Sequence, residues 1–560
     1  MATRCVTIAT LVLISISWMT VEVEGDTVKY NLTIEEMLCE PDGAPKLCLT
    51  INQQIPGPTL SCQVGDTVVI QVNNNMQSQS TAIHYHGFSQ RGTPFMDGVG
   101  MLTQCSILPG QNFVYNFTAD RAGTFWYHSH QGVQYGDGIS GPFVVYDKND
   151  PYLQSYVSDQ VLFIQDWFPV DTISILKFTK TQGYARYVPP PPNIDFENVT
   201  KIAYQSGLIN GKGFFNCSQF HQQNIFSLFP CADTNTNNYS TFAIQKGQGL
   251  RLRIINGGTT YAFLFSIDQH KLMVISADGH PVQPQLVDEI LVSVSERYDV
   301  IVVGDQDPTQ TYWIRATTTN LVGQIKAVLY YQGYNQTQLP TSSPSSNIKL
   351  LDNNSLRSSP ELGEQPQFFT TSLNYTLAKI STSSNMEIWL MNGISFMMPM
   401  QPYFDGPSHP DTITEKIELG EIVKFTFFNP TNNDAHPFHL HGHAFWILGT
   451  GNLSTISNSD NYLNFNYSVY RDTVIVPAFG WATILFVADN PGFWMFHCHV
   501  GNIFFLFFSF SLFLFFFSFS LFSLFLFFLF FSFHSKMNHK NFCQITIQKI
   551  NNNDFLKINE

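Results

Sequence analysis

Four short strings in this chain set histidines two residues apart: HYHG (His84, His86), YHSH (His128, His130), HPFHLHGH (His436, His439, His441, His443) and FHCH (His497, Cys498, His499). On a β-strand, residues i and i+2 share a face, so each His-x-His pair aims two imidazoles at one place. One such pair alone reads most simply as strand histidines hydrogen-bonded for structure. Four pairs, His84/His86, His128/His130, His439/His441 and His497/His499, point instead to metal. A tetrahedral zinc site needs only four ligands, which eight histidines around one locus exceed. In HCH the cysteine faces away from its two histidines, so one strand can touch two metal sites joined by a short covalent path. A thiolate with two imidazoles in a trigonal site is the signature of blue-copper electron transfer, and Cys498 with His436 supplies two of those three ligands. The metal expected is copper.

The elements that must position these side chains are short β runs cut by Gly, Pro and Asn. DTVVIQV (Asp66–Val72), NFVYNFTA (Asn112–Ala119), GPFVVYD (Gly141–Asp147) and LRLRIIN (Leu250–Asn256) alternate or bunch β-formers, as sandwich strands do. So do RYDVIVVGD (Arg297–Asp305), IVKFTFFN (Ile422–Asn429) and WATILFVAD (Trp481–Asp489). One design recurs three times: GDTVVIQVNN, GQGLRLRIIN and GEIVKFTFFN each open on Gly and end an alternating strand in Asn. Three copies imply three related all-β units. Boundaries are expected near Asp147–Ser158 and in the polar stretch 338–367, whose composition is that of a linker. YVPPPPN (Tyr187–Asn193) reads as an extended loop inside the second unit.

The totals exclude some partners and suggest a compartment. A net charge of −14 with only 28 Lys+Arg argues against nucleic acid. Residues 1–25 read as a signal peptide, with Arg4 before the apolar stretch Val6–Trp18. Asn-x-Ser/Thr sequons at Asn31, Asn116, Asn198, Asn238, Asn335, Asn374 and Asn466 agree with secretion. Cys39 with Cys48 and Cys217 with Cys231 are plausible disulfide partners in an oxidising compartment.

The four histidine clusters, their order and the threefold strand repeat resemble the multicopper oxidase family of laccases, ascorbate oxidases and ferroxidases, over about Thr27 to Val500. The resemblance implies three cupredoxin-like Greek-key β-sandwich domains, at 26–150, 158–337 and 368–500, the third C-terminally incomplete. It implies four coppers, a small-molecule reductant and O2 reduced to water. By motif position His84 and His439 resemble type 2 ligands. His86, His128, His130, His441, His497 and His499 resemble type 3 ligands, and His436 and Cys498 type 1 ligands. Asp97, in TPFMDGVGMLTQC, resembles the family's acid that supplies protons near the cluster; holding a turn before Gly98 is the alternative. QRGTPFMDGV, GDGISGPFVV and LSCQVGD are similar to laccases acting on phenols, whereas HPFHLHGHAFWILGTG and FVADNPG are also similar to plant laccases and ascorbate oxidases. A non-catalytic copper-binding protein is the alternative from another class. SFMMPM (Ser395–Met400) reads as packing methionines before it reads as a Cu(I) patch.

The resemblance breaks after Val500. The family pattern expects an acid, a histidine and a weak axial residue where this chain has Gly501, Ile503 and Phe508. Ile503 cannot bind copper, so the type 1 site of the chain as written is expected to be impaired. No clear C-terminal partner for Cys105 is in sight, since Cys543 lies beyond the Phe-rich run. Phe504–Phe533 is long enough to span a bilayer as an anchor. As a soluble exposed segment it would aggregate. The preferred reading of 501–560 is an aberrant tail, translated from a pyrimidine-rich tract past a missed splice site.

Overall fold

The computed structural model of the chain describes residues 25–173, 206–215, 238–321, 323–334, 338–362, 365–381, 387–392, 413–430, 435–454, 463–466 and 468–500, with short backbone strands at 508–511, 546–547 and 558–559. The signal-peptide segment, Cys217, Cys231, YVPPPPN, SFMMPM, Gly501 and Ile503 lie outside the described residues.

Each expected β run is a strand, and the threefold repeat is also a repeat of register. Thr67–Asn74, Gly249–Asn256 and Ile422–Asn429 each lie parallel to the opening strand of their unit and antiparallel to a later one. Their alternating residues cover a core on one face, as a strand's period of two requires. The terminal Asn of each repeat is fully buried and clasps a loop. The Asn74 amide donates to the Gln79 and Ile107 carbonyls, the Asn256 amide to those of Tyr261 and Val292, and the Asn429 amide to that of Pro477. A polar side chain at a strand end is thus retained because it satisfies backbone groups that the turn leaves unpaired.

Three sandwiches result, each with its own core. A pair of four-stranded sheets encloses Leu32, Val68, Ile70, Tyr115 and Phe143. Seven- and five-stranded sheets enclose Leu252, Ile254, Val300 and Leu329. Six- and five-stranded sheets enclose Phe425, Phe427, Phe438, Ile484 and Phe496. Cys39 and Cys48 are joined in a disulfide. Cys105 is also disulfide-bonded, to a partner outside the described residues.

The polar stretch 338–367, expected as a linker, lies along the second sandwich over its described part. Leu351 and Leu356 are buried in that core, and bridges join Leu350 to Glu289 and Ser358 to Val282. Besides these two leucines, Ser342 and Lys349 donate hydrogen bonds to Asp268 and Asp288 of that sandwich, and Asn353 accepts one from Tyr298. In the tail, the backbone of Phe508–Ser511 pairs with Phe493–Phe496 on one side and Ile413–Lys416 on the other. The alternation Phe-Ser-Phe-Ser is a strand pattern in its own right. Among the described residues no helix is long and apolar enough to cross a membrane.

Phe427, Phe438 and Phe496 stack within 13° of parallel, centroids 4.9 to 5.6 Å apart, in the third core. Phe438 lies directly opposite Cys498 in register. Replacing it with Ala removes one of three mutually packed rings, and Phe438→Ala should cost about 3–5 kcal/mol of stability in urea unfolding followed by near-UV circular dichroism.

Candidate metal centre

Two antiparallel strand pairs, from the first and third sandwiches, present the histidines. In the first, His84 on Ile83–His86 faces His128 on Gly123–Ser129; in the third, His439 on His436–Leu440 faces His497 on Phe493–Cys498. His130, His441 and His499 follow directly where their strands end. The two sets interleave: the His86 ring stacks on His439 with centroids 3.6 Å apart, and His84 lies 3.9 Å from His441. His130 lies 5.0 Å from His497, and His128 5.0 Å from His499. All eight imidazoles are buried. They form overlapping triads, His84/His86/His128, His84/His439/His441 and His130/His441/His497, whose ligand atoms approach within 4.8 Å. The sequence-expected pairs therefore do converge on one locus.

Six of the rings are oriented by the proton they give away. His84 Nδ1 donates to the Asp97 carbonyl at 2.6 Å, His439 Nδ1 to the Asp472 carbonyl at 2.8 Å, and His441 Nδ1 to Asp97 Oδ2 at 2.8 Å. His128 Nδ1 donates to Ser129 O at 3.0 Å and His497 Nδ1 to Cys498 O at 3.1 Å. His86 is the reverse tautomer, with Nε2 donating to Asp472 Oδ1 at 3.3 Å. An acceptor that is an oxygen without a proton leaves no choice of tautomer, so the opposite nitrogen must carry a lone pair. Those opposite atoms include His84 Nε2, His86 Nδ1, His128 Nε2 and His439 Nε2, and each is buried without a hydrogen bond, as are both nitrogens of His499. His441 Nε2 and His497 Nε2 face each other at 3.0 Å with their protons already committed elsewhere. Buried acceptors without donors are costly, and a cation among them removes the cost. The donor set fits copper, which imidazole suits.

On the opposite face of the same strand, Cys498 Sγ lies 3.5 Å from His436 Nδ1. Burial pushes the Cys498 thiol up to about 12, so a thiolate here needs a neighbouring positive ion. Among the described residues, no cluster of three potential ligands includes Cys498 or His436. His443 stands apart, its Nδ1 3.3 Å from the His441 carbonyl and its ring beside Trp494.

Two carboxylates brace the cage, and sequence reasoning found one of them. Asp97 is fully buried at the end of the short 3-10 turn Pro94–Met96 and holds two rings, His84 through its carbonyl and His441 through Oδ2. The turn role and the site role coexist. Gly98 makes this possible: its φ is +84°, and a Cβ there would sit 1.8 Å from the Ile83 carbonyl oxygen. The second carboxylate, Asp472, accepts from His86 through Oδ1 and from His439 through its carbonyl. Burial alone would raise the Asp472 carboxyl, but the Arg297 guanidinium holds it well below the usual range. The overlooked signal was a charge inside an apolar run: RDTVIV and RYDVIVV bury Arg471, Asp472, Arg297 and Asp299, which only paired charges permit.

Three segments of the chain, 33–150, 158–334 and 381–504, match family models described as multicopper oxidase. The L-ascorbate oxidase of Cucurbita maxima is 30% identical over 85% of this chain and 88% of its own length. Laccase-2 of Botryotinia fuckeliana is 31% identical over 85% of this chain and 80% of its own. Among solved structures, the laccase from Botrytis aclada superposes with a TM-score of 0.71 at 28% identity, covering 87% of this chain and 88% of that one. Fet3p, a multicopper oxidase that functions in iron import, gives 0.71 at 26% identity, covering 87% and 90%.

Burial, with the neighbouring imidazoles, holds His86, His128, His130, His441, His497 and His499 well below their ordinary 6.5, and His439 at about 3. In the unfolded chain the same rings take up protons below about pH 6.5. Stability of the copper-free protein is therefore fully present above that pH and lost as pH falls below it. The slope is up to about 1.4 kcal/mol per pH unit for each such histidine. Thermal unfolding of the copper-free chain should shift steeply downward between pH 7.5 and 5.5; an unchanged midpoint would contradict the buried neutral cage.

Proposed function

Because the chain belongs to the multicopper oxidase family, we propose that it couples one-electron oxidation of a phenol-type reductant to four-electron reduction of O2 to water, as a secreted, laccase-like oxidase. The observation that carries this reading is the convergence of proton-free nitrogens from two sandwiches, with Cys498 on the reverse of the same strand. Bound copper supplies the one-electron redox chemistry and the reduction of O2. His84 and His439 would hold the type 2 ion, with His86, His128, His130, His441, His497 and His499 holding the type 3 pair. His436 and Cys498 would hold type 1. Cys498 is bonded through the backbone to both His497 and His499, so the two sites share one covalent path.

Asp97 is suited to hold a proton beside the cage. Its Oδ2 is occupied by His441, while Oδ1 is buried without a hydrogen bond, 3.2 Å from His84 Nδ1. In a chain whose C-terminus after Val500 is repaired to the family pattern, Asp97→Asn keeps an acceptor for His441, so copper content should stay unchanged while turnover drops about 10²–10⁴-fold. Loss of copper instead would reduce Asp97 to a clamp.

Phenols are favoured over ascorbate or Fe(II) by the laccase-like motifs around Asp97 and Gly136–Val145. The similarity to an L-ascorbate oxidase and to Fet3p supports the two alternatives. Secretion is supported by exposed sequon asparagines at 31, 116, 374 and 466. The 560-residue chain should take up copper at the cage yet lack intense blue absorbance, because Ile503 stands where a second type 1 histidine is expected. A chain whose C-terminus after Val500 is repaired to the family pattern should gain the colour, and with it O2 uptake faster on a diphenol than on ascorbate or Fe(II). Preference for either of the latter would replace the laccase reading.

A further inference from the structure

The second sandwich supplies none of the expected ligands, yet one of its side chains reaches the cage. Arg297, at the start of Arg297–Val303, is fully buried. Its guanidinium grips Asp472 with both forks, Nη1 to Oδ1 at 2.8 Å and Nη2 to Oδ2 at 2.6 Å. Its Nε donates to the Thr124 carbonyl of the first sandwich at 3.1 Å, and Nη1 also to the Ser295 carbonyl at 3.0 Å. Asp472 belongs to the third sandwich and holds His86 of the first by Oδ1 and its own neighbour His439 by its carbonyl. Gly87, the residue after His86, leaves the space: a Cβ there would sit 2.8 Å from Arg297 Nη2 and 3.1 Å from Asp472 Oδ2.

We infer that Arg297 is a positioning residue for the copper cage: by fixing the Asp472 carboxylate it sets the ring plane of His86, which stacks on His439 of another sandwich. A planar five-donor fork can fix a carboxylate in orientation as well as in place, which an ammonium cannot. The Asp472 oxygen that accepts from His86 is the one that Arg297 Nη1 also holds, with the Thr473 hydroxyl donating to it as well, so the guanidinium fixes the very acceptor that orients the imidazole. This inference rests on the proposed copper reading. It adds that the sandwich without ligands determines metal retention.

The test uses the copper-loaded full chain and three variants: Arg297→Lys, the double variant Arg297→Met with Asp472→Asn, and Arg253→Lys as control. Arg253 is equally buried and also forks a carboxylate, Asp159, while touching Thr124 of the first sandwich, but has no link to an imidazole. Copper-to-protein ratio during competition with a chelator and the electron paramagnetic resonance spectrum of the type 2 ion are read beside thermal unfolding of the copper-free proteins. Support is copper retention weakened about 10- to 100-fold, with an altered type 2 spectrum, in Arg297→Lys or the double variant but not in Arg253→Lys. The double variant removes the ion pair as a unit, while Arg121 keeps the Gly87 and Gly279 carbonyls and Asp278 keeps Arg471, so it remains informative if Arg297→Lys folds poorly. Overturning results are unchanged retention and spectrum in both Arg297 variants, or losses matched by Arg253→Lys, which mark a structural brace. Wild-type chain that binds no copper overturns the parent reading as well, and so is distinguishable from failure of this inference alone.

Discussion

Acceptor facing acceptor in a dry interior is the constraint from which the rest of the structure follows. His441 and His497 point unprotonated nitrogens at each other across 3.0 Å, because each has already given its proton to an oxygen on its far side. In a medium of low dielectric such an arrangement is repulsive and cannot be relieved by water. Rotating either ring would break its outer hydrogen bond and leave another buried atom unsatisfied. The fold therefore holds these nitrogens in an arrangement that a cation makes favourable, and the metal becomes part of the structural argument before any redox chemistry is considered.

That arrangement depends on repetition with divergence. The same parallel-then-antiparallel strand order occurs three times, each time closed by a buried Asn. Two copies turn a pair of His-bearing strands toward each other. The middle copy has lost, or never had, that chemistry and contributes charge. Arg297 and Arg471 reach out of it or into it, onto Asp472 and Asp278, through fully buried pairs. Removing one partner from such a pair costs about 3–5 kcal/mol, whereas exchanging the whole pair for apolar groups is often neutral. What these pairs contribute is therefore orientation more than net stability.

Much of this was legible in the residues. Spacing of two on a strand foretold that His84 and His86 share a face, and that Cys498 opposes His497 and His499. The Gly-to-Asn repeat foretold three units. Legibility ended wherever the relevant fact was tertiary. Nothing in sequence spacing says that His86 would be the reverse tautomer of its neighbours, since that depends on Asp472, 386 residues away. The stretch 338–367 looked like a linker because most of its residues are polar, yet two leucines and several of those polar residues hold it to the second sandwich. Asp472 and Arg297 were visible as charges within apolar strands, but their partners lie in different sandwiches, and periodicity cannot report a contact that crosses between units.

The separation of 386 residues between His86 and Asp472 also bears on biogenesis. A chain made from its N-terminus can complete the first sandwich while the ribosome has yet to translate the third, as domains generally fold as units. During that interval His84, His86, His128 and His130 are held by a half-built chamber open to solvent, and His86 lacks the oxygen that fixes its ring. Until the third sandwich docks, the triads His84/His439/His441 and His130/His441/His497, which draw on both sandwiches, cannot form. Contacts of such long range are also the slowest to form, which makes docking of the last sandwich the step that closes the chamber and commits its contents.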